Sequence, residues 1–190
     1  TDVAGYLTPQ PTMRNRIING DMKIDQRNAG SSITITTNGT YSVDRWSAGM
    51  PAAGASKMSF QQSTVAPTGF KNSLLITSLS AYSVAAGDFF TAFQRIEGLN
   101  TFDLGWGASG ATSVTLSFWV RSSLTGTFGG HLINGGLSYS YPFTYTINAA
   151  NTWEQKSVTI TGPTAGTWAT DNTTGIQVAV SYTHLTLPTI

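Results

Sequence analysis

A chain of 190 residues has room for one β-sandwich and not for two ordinary domains with separate cores. Only 10% of it is charged and the formal net charge is +1, with Lys and Arg scattered along the chain, so no basic stripe exists to release counterions and nucleic acid is not an expected partner. Cysteine is absent, which removes disulfide frameworks and thiolate metal sites, and no apolar run is long enough for membrane insertion.

Gly, Ser, Thr and Asn cover the surface that ions usually cover, a composition suited to short strands and many turns. Residues 1–14 contain YLTPQPT, whose prolines favour extended backbone, and read as a linker from an upstream region. The first residues also lack the basic and hydrophobic regions of a signal peptide.

The sandwich domain is expected over residues 15–179. Ile18, Met22 and Ile24 suggest a first strand with a bulge at Gly20. Ile33 and Ile35, the turn Asn38-Gly39 and YSVDRW predict a hairpin from Ile33 to Trp46. Met58 with Phe60, Leu74 with Ile76, and Phe90, Ala92 and Ile96 mark further strands, and Leu99 to Leu104 a helical turn. From Thr112 to Ser122, Val114, Leu116, Phe118 and Val120 alternate with Thr115, Ser117, Trp119 and Arg121, a period of two that a helix does not produce. Phe143, Tyr145 and Ile147, then Val158 and Ile160, then Ile176 and Val178 repeat the pattern, and Pro142 places its strand at an edge or a strand start. Short strands between turn clusters predict an all-β fold, an antiparallel, jelly-roll-like β-sandwich.

Catalytic material is thin. The glycines of GWGASG, at Gly105, Gly107 and Gly110, match a dinucleotide-binding spacing, but a strand follows them where that chemistry needs a helix N-terminus, so they read as a turn. Asp21, Asp25, Asp44, Glu97 and Asp103 are the carboxylates that a glycoside hydrolase would need in pairs, and spacing alone sets no two of them across a cleft. His131 has no histidine partner for a metal or a nucleophile. Asp44-Arg45-Trp46 and Gln94-Arg95-Ile96-Glu97 read as half-buried ion pairs that hold strand register. No catalytic residue, cofactor or metal is expected. Trp119, Arg121, Tyr139 and Tyr141 are the candidate ligand-binding residues, because sugar rings stack their C–H faces on aromatics while Arg and amides meet hydroxyls. Burial under a second layer or a neighbouring subunit is the alternative for the Trp119 face.

The segments NRIINGDMKIDQRNAG, YSVDRW, QRIEG, VTLSFWVRSSLTGTFGG and ANTWEQKSVTITG together resemble a family of phage and prophage tail-fibre or virion structural proteins, over Asn15 to Val178. The opening segment and its DRW element are similar, more distantly, to carbohydrate-binding modules with a galactose-binding-like jelly roll. The resemblance implies a non-enzymatic sandwich on a homotrimeric fibre, in the virion tail or otherwise extracellular, facing host cell-surface glycans or serving as a spacer. A binding module of a secreted bacterial glycan-processing enzyme is the rival expectation, and a depolymerase fragment a third. In the binding modules an acidic residue after the NG turn helps hold a structural calcium; Lys23 stands at the matching position here, which argues against calcium.

The last residues, VSYTHLTLPTI from Val180 to Ile190, resemble the conceptual translation of a transposase adapter used in short-read library preparation, a match that starts within the codon of Ala179. The expectation is that residues 180–190 are a non-native tail and that the sandwich is truncated at its C-terminus, leaving His184 and Pro188 without functional meaning.

Overall fold

The computed structural model describes residues 14–184. Of the predicted linker only Arg14 falls within this range; its guanidinium lies 3.3 Å from the Asn100 side-chain oxygen and 3.9 Å from Asp103. Residues 185–190 of the predicted tail lie outside it.

The chain is all-β and antiparallel throughout. Its strands are β1 (Ile33–Thr34), β2 (Ser47–Gly49), β3 (Met58–Ser63), β4 (Ser73–Ser78), β5 (Thr91–Glu97), β6 (Val114–Val120), β7 (Gly126–Asn134), β8 (Ser140–Ile147), β9 (Glu154–Ile160) and β10 (Thr174–His184). One layer is a five-stranded sheet in the order β2-β5-β10-β7-β8; facing it are the sheet β1-β3-β4 and the pair β6-β9. This is the sandwich expected from the alternation. β8 is an edge strand, as Pro142 requires, because proline has no N–H for a second ladder.

The alternation in β6 holds residue by residue: Val114, Leu116, Phe118 and Val120 turn inward and Thr115, Ser117 and Trp119 outward. The inner set packs on Leu132, Phe143, Tyr145 and Ile176 of the large sheet, with the Phe118 and Tyr145 rings edge to face at 5.1 Å. A second cluster under β1-β3-β4 holds Ile35, Met50, Met58, Phe60 and Phe90. Leu99 to Leu104 forms two 3-10 turns, Gly98–Asn100 and Phe102–Leu104. Val180 to Tyr182 continue β10, pairing Val180 with Ala92 and Ser181 with Thr91, and the Tyr182 ring lies against Phe60 and Phe90.

Two sequence expectations are corrected. Ile18 to Ile24 is not a strand: Asn19 (φ 53°) and Met22 (φ 55°) are left-handed, and the segment is a turn lying across the inner face of β5. Side-chain amides replace the ladder there. Gln94, fully buried between the two core clusters, accepts from the Ile18 N–H and donates to the Ile18 carbonyl, both at 2.8 Å. Asn19 donates to the Ile24 and Asp44 carbonyls at 2.9 Å, and Gln62 donates to that of Met22. Backbone polar groups shielded from water need partners, and here Gln94 of β5, Gln62 of β3 and the segment's own Asn19 supply them.

The hairpin from Ile33 to Trp46 also fails. Ile33 pairs with Phe60 of β3 instead. The Asn38-Gly39 turn forms, with Gly39 at φ 83°, but it leads to an isolated bridge between Tyr41 and Ser47 and a second tight turn, Ser42 N–H to the Trp46 carbonyl at 3.1 Å. Two consecutive turns leave no strand for β1 to meet.

The tight turn presents Arg45 to Glu97. Both terminal guanidinium nitrogens donate to the carboxylate, at 2.8 and 3.0 Å, and one also reaches the Arg95 carbonyl at 2.9 Å, so the ion pair ties the turn to the end of β5. The Arg45 hydrogen bonds hold the Glu97 carboxyl below its ordinary 4.5, and Arg16 beside Asp103, at 2.7 and 2.8 Å, holds that carboxyl below 3.8. A depressed folded-state value stabilises the fold above the ordinary carboxylate range, and that stability is lost as pH falls through the folded value. Urea midpoints should therefore drop between about pH 5 and about pH 2, and Glu97→Gln should flatten part of that decline. An unchanged pH profile for Glu97→Gln would remove this pair from the acid response.

Candidate functional site

The outer surface of the β6-β9 pair carries the first half of the candidate set. Trp119 lies across from Gln155, Ser117 from Ser157 and Thr115 from Thr159, so one large ring, 40% exposed, stands at the end of a row of hydroxyls and an amide. Arg121 follows Trp119 at the end of the strand. Its Nε donates to the Asn151 carbonyl at 2.8 Å, which fixes the guanidinium on the turn between β8 and β9. Glu154 braces that turn: its carboxylate accepts from the Asn148 and Ala149 N–H groups at 2.8 and 2.9 Å and from Lys156 at 2.6 Å, which together lower it to about 2. Within the described residues no second layer covers Trp119.

Tyr139 and Tyr141 are elsewhere. The β8-β9 turn sits beside Arg121 at the end of β8, whereas Tyr141 is at the start of β8, six residues before Ile147 and so roughly 20 Å away along the strand. Tyr139 belongs to the β7-β8 hairpin. Buried Asn134 organises that hairpin, accepting from the Ser138 and Tyr139 N–H groups and donating to the Thr167 carbonyl, and the Tyr139 ring presses on Gly166. Nearby, Trp106 and Trp168 stand edge to face at 4.8 Å over a cavity of about 20 Å3, room for one water. The four ligand candidates are therefore two separate surfaces, Trp119 with Arg121 and Tyr139 with Tyr141.

The five candidate carboxylates are all engaged. Besides Glu97 and Asp103, Asp21 pairs with Lys23 at 2.6 Å, Asp25 accepts from the Asn28 and Gly30 N–H groups, and Asp44 accepts from that of Gln26. Lys23 thus puts an ammonium beside the carboxylate of the NG turn. His131 stands on β7 across from Pro142 and Ala179, and burial lowers its pKa. No group of His, Asp and Glu among the described residues is arranged to hold a metal ion. GWGASG is a turn with Gly105, Gly107 and Gly110 at positive φ, and β6 follows it.

Sequence reasoning missed a groove beside the edge strand β2, lined by Thr36, Thr37, Asn38, Met50, Pro51 and Phe89 and about 490 Å3 in volume. Its residues come from separated loops, and no local pattern announces it.

No family model and no curated protein matches the chain. Among solved structures it is similar to the enzymatically active domain of tailspike protein 4 from bacteriophage CBA120, at 14% identity and a TM-score of 0.47. That alignment covers 78% of this chain and 19% of the tailspike chain. It is also similar to the CBM22-1-GH10 modules of Clostridium thermocellum endo-1,4-beta-D-xylanase 10B, solved with xylohexaose, at 13% identity and a TM-score of 0.43, covering 80% of this chain and 25% of that one. The chain thus spans a quarter or less of either matched chain. No described helix is long and apolar enough to cross a membrane.

Proposed function

We propose that this chain is a non-enzymatic domain of a phage tail fibre or related virion structural protein, and that it binds host cell-surface glycan on the outer face of β6-β9. The observation that carries the binding reading is the exposed Trp119 ring set among Ser117, Gln155 and Arg121, on strands whose opposite face is core. A ring offers a sugar its apolar face; the hydroxyls, amide and guanidinium beside it replace the water that sugar hydroxyls lose. Engagement of the carboxylates in ion pairs and backbone capping supports the non-enzymatic part, and the tail-fibre-like segments support the virion part. In that setting the domain works as one of three copies in a homotrimer, and avidity multiplies a weak single contact.

Glycan-array binding followed by calorimetry tests the reading. Trp119→Ala should weaken binding by about tenfold, equivalent to about 1.4 kcal/mol, with the melting temperature nearly unchanged because the ring is not part of the core. Equal affinity of the variant and the parent would take the site off this face.

A further inference from the structure

The groove beside β2 is built as a site of its own. Phe89, 43% exposed, lines it together with Pro51 and the nearly buried Met50. The loop before Phe89 is braced by Asp88, whose carboxylate accepts from the Tyr82 hydroxyl and the Ala85 N–H, both at 2.8 Å. On the polar side, the Asn38 side-chain oxygen accepts from the Met50 N–H at 3.3 Å, which orients the amide and leaves its Nδ2 as a donor. Among the described residues, that Nδ2 and the hydroxyls of Thr36 and Thr37 have no side-chain hydrogen bond to the protein. No lining residue is ionised.

We propose that this groove is a second carbohydrate site, taking a neutral hexose or short neutral oligosaccharide, with a ring face on Phe89 and hydroxyls on Asn38, Thr36 and Thr37. An exposed aromatic ring in one groove with a few uncommitted polar groups is what a sugar ring requires, and about 490 Å3 lies within the usual span of about 300–1,000 Å3 for ligand pockets. The absence of charge in the lining disfavours uronic and sialic acids, whose carboxylates would lose water without gaining a cation. The site shares no residue with the Trp119 face, so either can fail alone.

The test is an amide-detected NMR titration of the chain with maltotetraose, xylotetraose and chitotetraose, run on the parent, Phe89→Ala and Trp119→Ala. Expected are saturable shifts at the Asn38 side-chain amide and at Thr36 and Thr37, weakened about tenfold in Phe89→Ala and intact in Trp119→Ala. Should Phe89→Ala not fold, Thr36→Val is read in its place, with weakened saturation at Asn38 expected. Shifts confined to the Trp119 face would overturn the groove and leave the proposed function standing. No response to any of the three sugars would also overturn it, as would shifts that follow protein concentration without sugar, which would mark a contact between copies of the chain.

Discussion

Phe60→Ala is expected to lower the unfolding free energy by about 3–5 kcal/mol, the cost of removing a buried aromatic ring and leaving its cavity. Phe60 is fully buried on β3, packed with Ile35, Met58 and Phe90, and its ring meets Tyr182 of β10 edge to face at 6.3 Å. It therefore links the small sheet to the large one. Neighbouring strands are tied into ladders and cannot collapse into the space, which places the cost in the upper part of that range. Since domains of this size have about 5–15 kcal/mol in total, the variant should be partly unfolded at modest urea. Leu75→Ala, on the exposed face of the adjacent strand, should move stability by about 0.5 kcal/mol or less. Equal urea midpoints for the two variants would show that the small sheet faces the other way.

Gly98→Ala should be similarly damaging, by at least about 1–3 kcal/mol, through overpacking rather than a void. A Cβ on Gly98 would run into the Ala169 carbonyl oxygen and would stand 2.5 Å from its carbon and 2.7 Å from the Thr170 nitrogen. These are backbone atoms and cannot rotate away. The two chains are moreover locked together, Gly98 N–H to the Thr173 carbonyl at 2.9 Å and Leu99 N–H to that of Asp171 at 2.8 Å. Gly175, at the bulge in β10, is also close, since a Cβ built on it would stand 2.8 Å from the Gly98 Cα. Thermal unfolding should show a loss of about 2–4 °C for each kcal/mol, and Gly136→Ala, where a Cβ meets nothing closer than 3.7 Å, should show almost none. If Gly98→Ala melts with the parent, the loop carrying Ala169 is not held against β5.

The reason strands such as β6 are legible in the sequence is that each residue's burial depends on its parity alone. Val114 to Val120 reads correctly because one face meets a core and the other meets water. Asn38-Gly39 reads correctly as a turn for an equally local reason, the positive φ that glycine accepts. Which strand β1 would meet after that turn is not local. Ile33 could pair on either side, and the choice of Phe60 was made by a second turn at Val43 to Trp46 that consumes the nearby chain.

The segment from Ile18 to Ile24 shows the same limit from the other direction. Its apolar spacing imitates a strand, but Gln94 and Gln62, far along the chain, hydrogen-bond its backbone as a turn, and nothing within the segment records their arrival. Likewise Arg45 and Glu97 were legible as ion-pairing residues, while their pairing with each other required the fold. For the candidate site, alternation in β6 alone determined that Trp119 faces outward with Arg121 close behind it. Tertiary structure decided that Tyr139 and Tyr141 stand at the opposite end of the sandwich, because β8 runs away from Arg121, and that Phe89 and Asn38 line one groove. Parity is set by the chain's own geometry; proximity between strands is set by packing, where hydrophobic burial rewards any arrangement that closes the core and side-chain amides select among those arrangements.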